Sequence, residues 1–210
     1  TASIAAQAGV ADTETAVNGL TSIINVWGKE NVTAMEAADS MFTTVRLGKT
    51  NFTELSDSIG QVAPVAKAVG MSFDEMNAFL AEMTARGLKT TEATTALKGI
   101  LSSMLAPTGK LSGALGDVKK NGLAATLTAL SDKADGSVEA IAAMFPNIRG
   151  LLGVLSGGIG TGGTMGATLE EFTNKAGAAK EASAKIAAAF GTDFKKIRAE
   201  FDDALLDLGI

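Results

Sequence analysis

The residues nearest to a catalytic pattern are two pairs of adjacent acids, Glu170-Glu171 and Asp202-Asp203. Glycoside hydrolysis requires two carboxyl groups facing one another across the bond to be cut. Neighbouring positions on a helix point about 100° apart, so neither pair can face itself across a cleft. Glu170-Glu171 falls in the opening turn of an expected helix, where acids complement the dipole. Both pairs read as exposed helix charges. Histidine is absent, which removes an imidazole base, a Ser-His dyad and a His-ligated metal. Cysteine is absent too, so there is no disulfide, thiol chemistry or Cys-bound zinc, and the redox compartment stays undetermined. The glycine run Gly157-Gly158-Ile159-Gly160-Thr161-Gly162-Gly163 lacks the Gly-Lys-Ser/Thr of a phosphate loop and follows a helical run instead of a strand. No residue is put forward for catalysis, and no cofactor or metal is expected.

Charge narrows the partners. The 18 basic and 23 acidic residues give a net charge of −5, with the signs interleaved along the chain. The densest basic cluster, Lys195-Lys196-Ile197-Arg198, is followed by Glu200, Asp202, Asp203 and Asp207. It reads as a solvated helix face, and sequence-specific nucleic-acid binding is not expected. The opening residues Thr1-Ala2-Ser3-Ile4 are neither a start nor a signal peptide, so the chain is expected to be a piece of something longer.

The elements that must position these residues are helices. Apolar residues make up 46% of the chain and aromatics 5%, so the core must be built from small side chains that let helices approach closely. One stripe runs Phe52, Leu55, Ile59, Val62, Ala66 and Val69. Others are Val17, Leu20, Ile24, Trp27; Phe73, Met76, Leu80, Met83; and Leu97, Leu101, Met104, Leu105. All follow the 3-4 spacing of a helix face, and no comparable stretch alternates with period 2. Capping-box patterns stand at Thr33…Glu36, Asn51…Glu54, Ser72…Glu75 and Thr168…Glu171. Gly70, Gly87 and Gly109 lie where stripes end, as C-cap residues. Pro64 lies inside a stripe, so the helix either kinks or breaks there. The expected class is all-α: a compact multi-helix domain of short antiparallel helices of about 12 to 18 residues.

Residues 150–169 carry no charge, and eight of these twenty are glycine. Each glycine costs a helix about 1 kcal/mol relative to alanine, so the stretch reads as a linker. A membrane-active or pore-lining reading, helped by the Gly158…Gly162…Gly166 spacing, stands beside it. The expected organisation is a helical domain at 1–155, a Gly-rich linker at 156–167 and a long helix at 168–210. In that last segment Ile186, Phe190, Phe194, Ile197, Phe201, Leu205 and Leu208 are spaced 4-4-3-4-4-3. This is an eleven-residue period that keeps one face along a nearly straight helix. Such a stripe needs a partner, either the first domain or other copies in a parallel bundle.

The stretch from Ala63 to Pro107 closely resembles the core region of tailed-bacteriophage tape measure proteins. The resemblance rests on the turn Pro64, Ala66, Gly70, then a helix of the Phe73 to Met83 type. It continues through the turn ending Arg86-Gly87-Leu88, the segment Glu92-Ala93…Ala96-Leu97 and the close Leu105-Ala106-Pro107. It extends more loosely over about residues 1 to 155 and fades at the glycines. Thr94 and Phe145-Pro146 depart from the family, which often has glycine at the first place and Phe-Gly at the second. The resemblance implies structural work: setting tail length during assembly, then leaving the tail tube ahead of DNA. It implies a virion location in the tail lumen or tip after synthesis in the host cytoplasm. The implied partners are other copies of the chain, commonly as a trimer; tail tube and tail-tip or baseplate proteins; a tail assembly chaperone; and transiently the host membrane.

A different class of function, membrane perturbation or channel formation during genome delivery, would be carried by residues 150–169. Liposome leakage separates the two: the structural reading predicts no dye release and no lipid association.

Overall fold

The computed structural model of the chain describes residues 12–107, 111–135, 137–145 and 164–190. Among these residues it forms eleven α-helices and no strand. They are α1 (Thr13–Trp27), α2 (Ala34–Leu47), α3 (Phe52–Ile59), α4 (Ala63–Val69), α5 (Phe73–Ala85), α6 (Thr90–Leu105), α7 (Ala114–Asn121), α8 (Leu123–Lys133), α9 (Val138–Met144), α10 (Thr164–Thr173) and α11 (Ala178–Phe190). The all-helical expectation holds. Several helices are shorter than the spacing predicts, with α3 and α4 only 8 and 7 residues long.

The reason lies at Pro64. The single stripe from Phe52 to Val69 is fully buried, yet the chain turns at residues 60–62 between α3 and α4. Pro64 sits in the first turn of α4, where its missing N–H has no helical partner to lose. Two helices thus present one continuous stripe to the same core. Gly70 closes α4 in the left-handed conformation, φ 83°. Met71 N donates to Ala66 O and Gly70 N to Lys67 O, both at 3.0 Å, a Schellman close that favours glycine. Gly87 (φ 105°) closes α5 in the same way, with Leu88 N donating to Met83 O.

At the centre lies α5, ten of whose thirteen residues are buried. Its stripe of Phe73, Met76, Leu80 and Met83 is buried as expected, but so are Asn77, Ala78, Phe79, Ala81, Glu82 and Thr84. A helix buried on nearly every side needs neighbours on every side. It packs against α2, α4, α6 and α10. In α2 the eight consecutive residues 37–44 are all buried. Of its polar members, Thr43 Oγ1 donates to Asp39 O at 2.8 Å and Thr44 Oγ1 reaches Ser40 O and Asn77 Oδ1, both at 3.0 Å, while Ser40 Oγ is buried without a hydrogen-bond partner. Trp27 Nε1 donates to Met71 O at 3.3 Å, and its ring meets Phe73 edge-on at 5.2 Å. In α1 the buried face is Ala16, Gly19, Leu20, Ile23 and Trp27, so Val17 and Ile24 flank the core instead of leading into it. The rotation brings Gly19 against α3, where a Cβ would lie 2.6 Å from Ser56 Oγ. Only glycine permits that approach. Leu105, expected on the α6 stripe, is 41% exposed.

Capping follows the expected boxes in part: Thr33 makes the full box, Asn51 and Ser72 cap from the first side chain alone, and Thr168 lies inside α10. Thr33 and Glu36 cap reciprocally, and Asn51 accepts from Glu54 N at 2.9 Å. Ser72 accepts from Glu75 N at 3.1 Å, but the Glu75 carboxylate turns away from Ser72. It accepts from Leu123 N at 2.6 Å and Ala124 N at 3.4 Å. The start of α8 is Gly122, which has no side chain to cap with, so a carboxylate 48 positions upstream supplies the acceptor.

Burial pushes the Glu75 carboxyl above its ordinary 4.5, outweighing the two backbone donors that favour its charge. The folded chain therefore holds this proton to higher pH than the unfolded chain does. The associated stability is complete below the ordinary value and is lost as pH rises through the raised one. Glu75→Gln keeps an oxygen for Leu123 N–H without the charge. It is expected to raise Tm over the parent at about pH 7 and to leave it unchanged at about pH 3. Equal loss at both pH values in thermal melts would contradict this account.

Candidate functional site

The segment Thr164–Phe190 is an arm seated on the body formed by the earlier helices, and the seat is built around Asp39. Helix α11 opens after Gly177 (φ 86°), a residue that leaves the first N–H groups without a side-chain acceptor of their own. Asp39 of α2, only 4% exposed, supplies both oxygens: Gly177 N donates at 2.8 Å and Ala179 N at 2.9 Å. A buried carboxylate is tolerated when charge-assisted bonds and a helix N-terminus compensate its lost hydration. Here the compensation comes from residues about 140 positions away.

Helix α10 lies against α5 and α2, and α11 against α2. Met165, Phe172 and Ala179 join the same hydrophobic core as the body. Thr168 Oγ1 donates to Glu82 Oε2 at 3.1 Å, and Lys175 Nζ pairs with Asp74 at 2.5 Å. Arg46 meets Glu171 at 2.7 Å, with both side chains more than half exposed. Magnitudes rank these contacts. An exposed pair contributes about 0–1 kcal/mol, whereas burying a Phe or Met side chain contributes roughly 1.5–3 kcal/mol each. The apolar plugs and the Asp39 cap hold the arm, and the ion pairs set its register.

Two clefts border the arm. One, of about 350 Å³, is lined by Trp27, Asn31, Lys67, Met71, Asp74 and Lys175. The other, of about 600 Å³, is lined by Glu75, Gly122, Leu169, Phe172 and Lys175, among others. In both, Lys175 and Asp74 neutralise one another. Among the described residues no cluster of His, Cys, Asp or Glu could hold a metal ion. What this arrangement can do is hold a helix.

Several expectations change here. The linker expected at 156–167 gives way by residue 164, where α10 has begun. The long helix expected from 168 is, through residue 190, two helices joined by a turn at 174–177. Gly177 and the Asp39 cap explain the break. Thr168 is consequently inside α10 and not a capping residue, and Glu170-Glu171 lies in the helix's second half. Of the eleven-residue stripe, Ile186 is half-buried on α11 and Phe190 ends that helix. Phe194, Ile197, Phe201, Leu205 and Leu208 lie outside the described residues, as do Asp202-Asp203, Gly109 and the basic cluster at 195–198. Of the family-motif positions, Pro64, Gly70 and Gly87 make the turns described above, and exposed Pro107 follows the end of α6. Asp39 escaped the sequence reading. Its signal was a lone acid inside the run Ala37-Ala38-Asp39-Ser40-Met41-Phe42, together with helix starts at Gly122 and Gly177 that have no local cap.

A family model described as phage-related minor tail protein matches residues 1–151. The chain belongs to the phage-related minor tail protein family. Membership makes it a structural component of the phage tail and thus of the virion. No curated protein and no solved structure matches it. The matched unit of this tail protein covers α1 to α9, and the arm lies beyond it.

Asp39→Ala should remove about 1–2 kcal/mol of capping and accelerate hydrogen exchange at Gly177 and Ala179 roughly tenfold (1.4 kcal/mol per decade). Amide exchange followed by NMR or mass spectrometry checks this. Unchanged protection of those two amides would show that the cap does not hold the arm.

Proposed function

We propose that the chain is a folded segment of a tail tape measure protein, non-catalytic and present in several copies. In this reading it helps set tail length during assembly and stays in the tail tube or tip until it is ejected ahead of DNA. The supporting observation is the coincidence of two extents. The family match at 1–151 falls on the residues that carry the resemblance to the tape measure core. The absence of His and Cys from the whole chain supports the non-catalytic part. The proposed partners are other copies, as a trimer through the Ile186 to Leu208 stripe; tube and tail-tip or baseplate proteins; and a tail assembly chaperone. Among the described residues no helix is long and apolar enough to cross a membrane. The membrane-perturbing alternative draws its support from the composition of residues 150–169 alone.

Within this reading the segment is a body, not a length of ruler. As one helix, 210 residues would span about 315 Å. The longest helix described has 16 residues, about 24 Å. Deleting the segment in frame from the complete protein should therefore block assembly or ejection and not trim the tail in proportion. Electron microscopy of tail lengths together with an ejection assay decides. Tails shortened by about 315 Å that eject normally would overturn the folded-body reading.

A further inference from the structure

The arm differs from the body in how little it buries. Of its residues whose side chains the structure describes, only Met165, Phe172 and Ala179 are buried, whereas α5 buries ten of thirteen. Fixing a residue costs conformational entropy on either element, and burial is the main term that offsets it. Per residue the arm therefore has a much smaller margin of stability than the core helices. The face beneath it is suited to being uncovered. Its polar contacts to the arm come from Asp39, Asp74, Glu82 and Arg46. These groups regain hydration when the arm lifts, so opening costs less than baring an apolar seam. Lifting the arm takes one wall from α5 and leaves α2, α4 and α6 in place around it. The family match ends at residue 151, before α10 begins, so the matched body does not include that wall.

We propose that residues 164–190 are a strap that opens from the α2–α5 face of their own chain as one unit, while the body stays folded. The pin is the turn at 174–177 between the two helices. Asp39 accepts from Gly177 N and Ala179 N there, and Lys175 pairs with Asp74. Helix α10 ends at this turn and α11 begins from it, so releasing the turn loosens both. Closed, the strap engages the carboxylates of Asp39, Asp74 and Glu82; open, it presents them to solvent together with one flank of α5. Proteins open in cooperative units of this kind well below their global unfolding free energy, and regions with few buried apolar contacts open first. The strap belongs to the single chain, so it stands or falls independently of the tape measure reading.

Hydrogen exchange of the full chain over a series of sub-denaturing guanidinium concentrations, read by peptide mass spectrometry, tests the strap. Amides of α10 and α11 should share one opening, at least about tenfold more frequent than that of α1 and α6. Asp39→Ala should speed exchange about tenfold along α10 as well as α11, leaving α1 and α6 unchanged. A second variant works in the opposite sense. The chain has no cysteine, and Arg46 and Glu171 are in contact and more than half exposed. The double variant Arg46→Cys, Glu171→Cys can therefore be joined by a short bis-maleimide with little other disturbance. Joining should slow exchange at least about tenfold over both arm helices, relative to the unjoined double variant. Arm amides that exchange only through the opening of α1 and α6 would overturn the strap. So would an Asp39→Ala effect confined to Gly177 and Ala179, or a link that protects α10 and leaves α11 unchanged, since either marks separate fraying. An Asp39→Ala chain whose body exchanges equally faster also overturns it, because arm and body would then open as one unit.

Discussion

The burial of α5 is the constraint on which the rest of the structure depends. A thirteen-residue helix with ten buried positions cannot be stable on one flat layer, because each uncovered face would expose apolar surface at about 25 cal/mol per Å². It must be walled in. With so few aromatics the walls close by proximity of backbones: Ala78 and Ala81 on α5, Ala37 and Ala38 on α2, and Gly48 so near α5 that a Cβ would lie 2.3 Å from Thr84 Oγ1. Close approach gives each contact little area, so many helices are needed. The arm belongs to this solution as one of the walls.

Local features were legible in the sequence because they are local. The box at Thr33…Glu36, the glycine closes at Gly70 and Gly87, and the buried stripes of α5 and of α3 with α4 depend on residues within five positions of one another. A 3-4 stripe reports which face is apolar, but it does not report whether the backbone runs unbroken beneath it. Hence Phe52 to Val69 read as one face, and the break at residues 60–62 stayed open until the structure placed Pro64 in a first turn.

What stayed illegible was set by distance along the chain. Glu75 has the spacing of a capping-box partner to Ser72, and nothing nearby reveals that its carboxylate serves Leu123. Asp39 looks like a surface acid on a helix until the turn at Gly177 is brought onto it. What the residues beyond the expected boundary near 155 pack against was illegible for the same reason. Glycine content marks where a chain is free to bend, not where its hydrophobic core ends, and Met165, Phe172 and Ala179 lie in the core of the body.

These two carboxylates also explain how a body with a modest core can fix helices that arrive late in the chain. A large apolar interface would hold the arm, but it would leave a sticky face whenever the arm was away. A buried acid reading two N–H groups, flanked by ion pairs and a few apolar plugs, is directional instead. It accepts a helix only by its N-terminus and only in one register. The polar contacts thus order the arm on the body, and the few apolar plugs supply the burial that keeps it there.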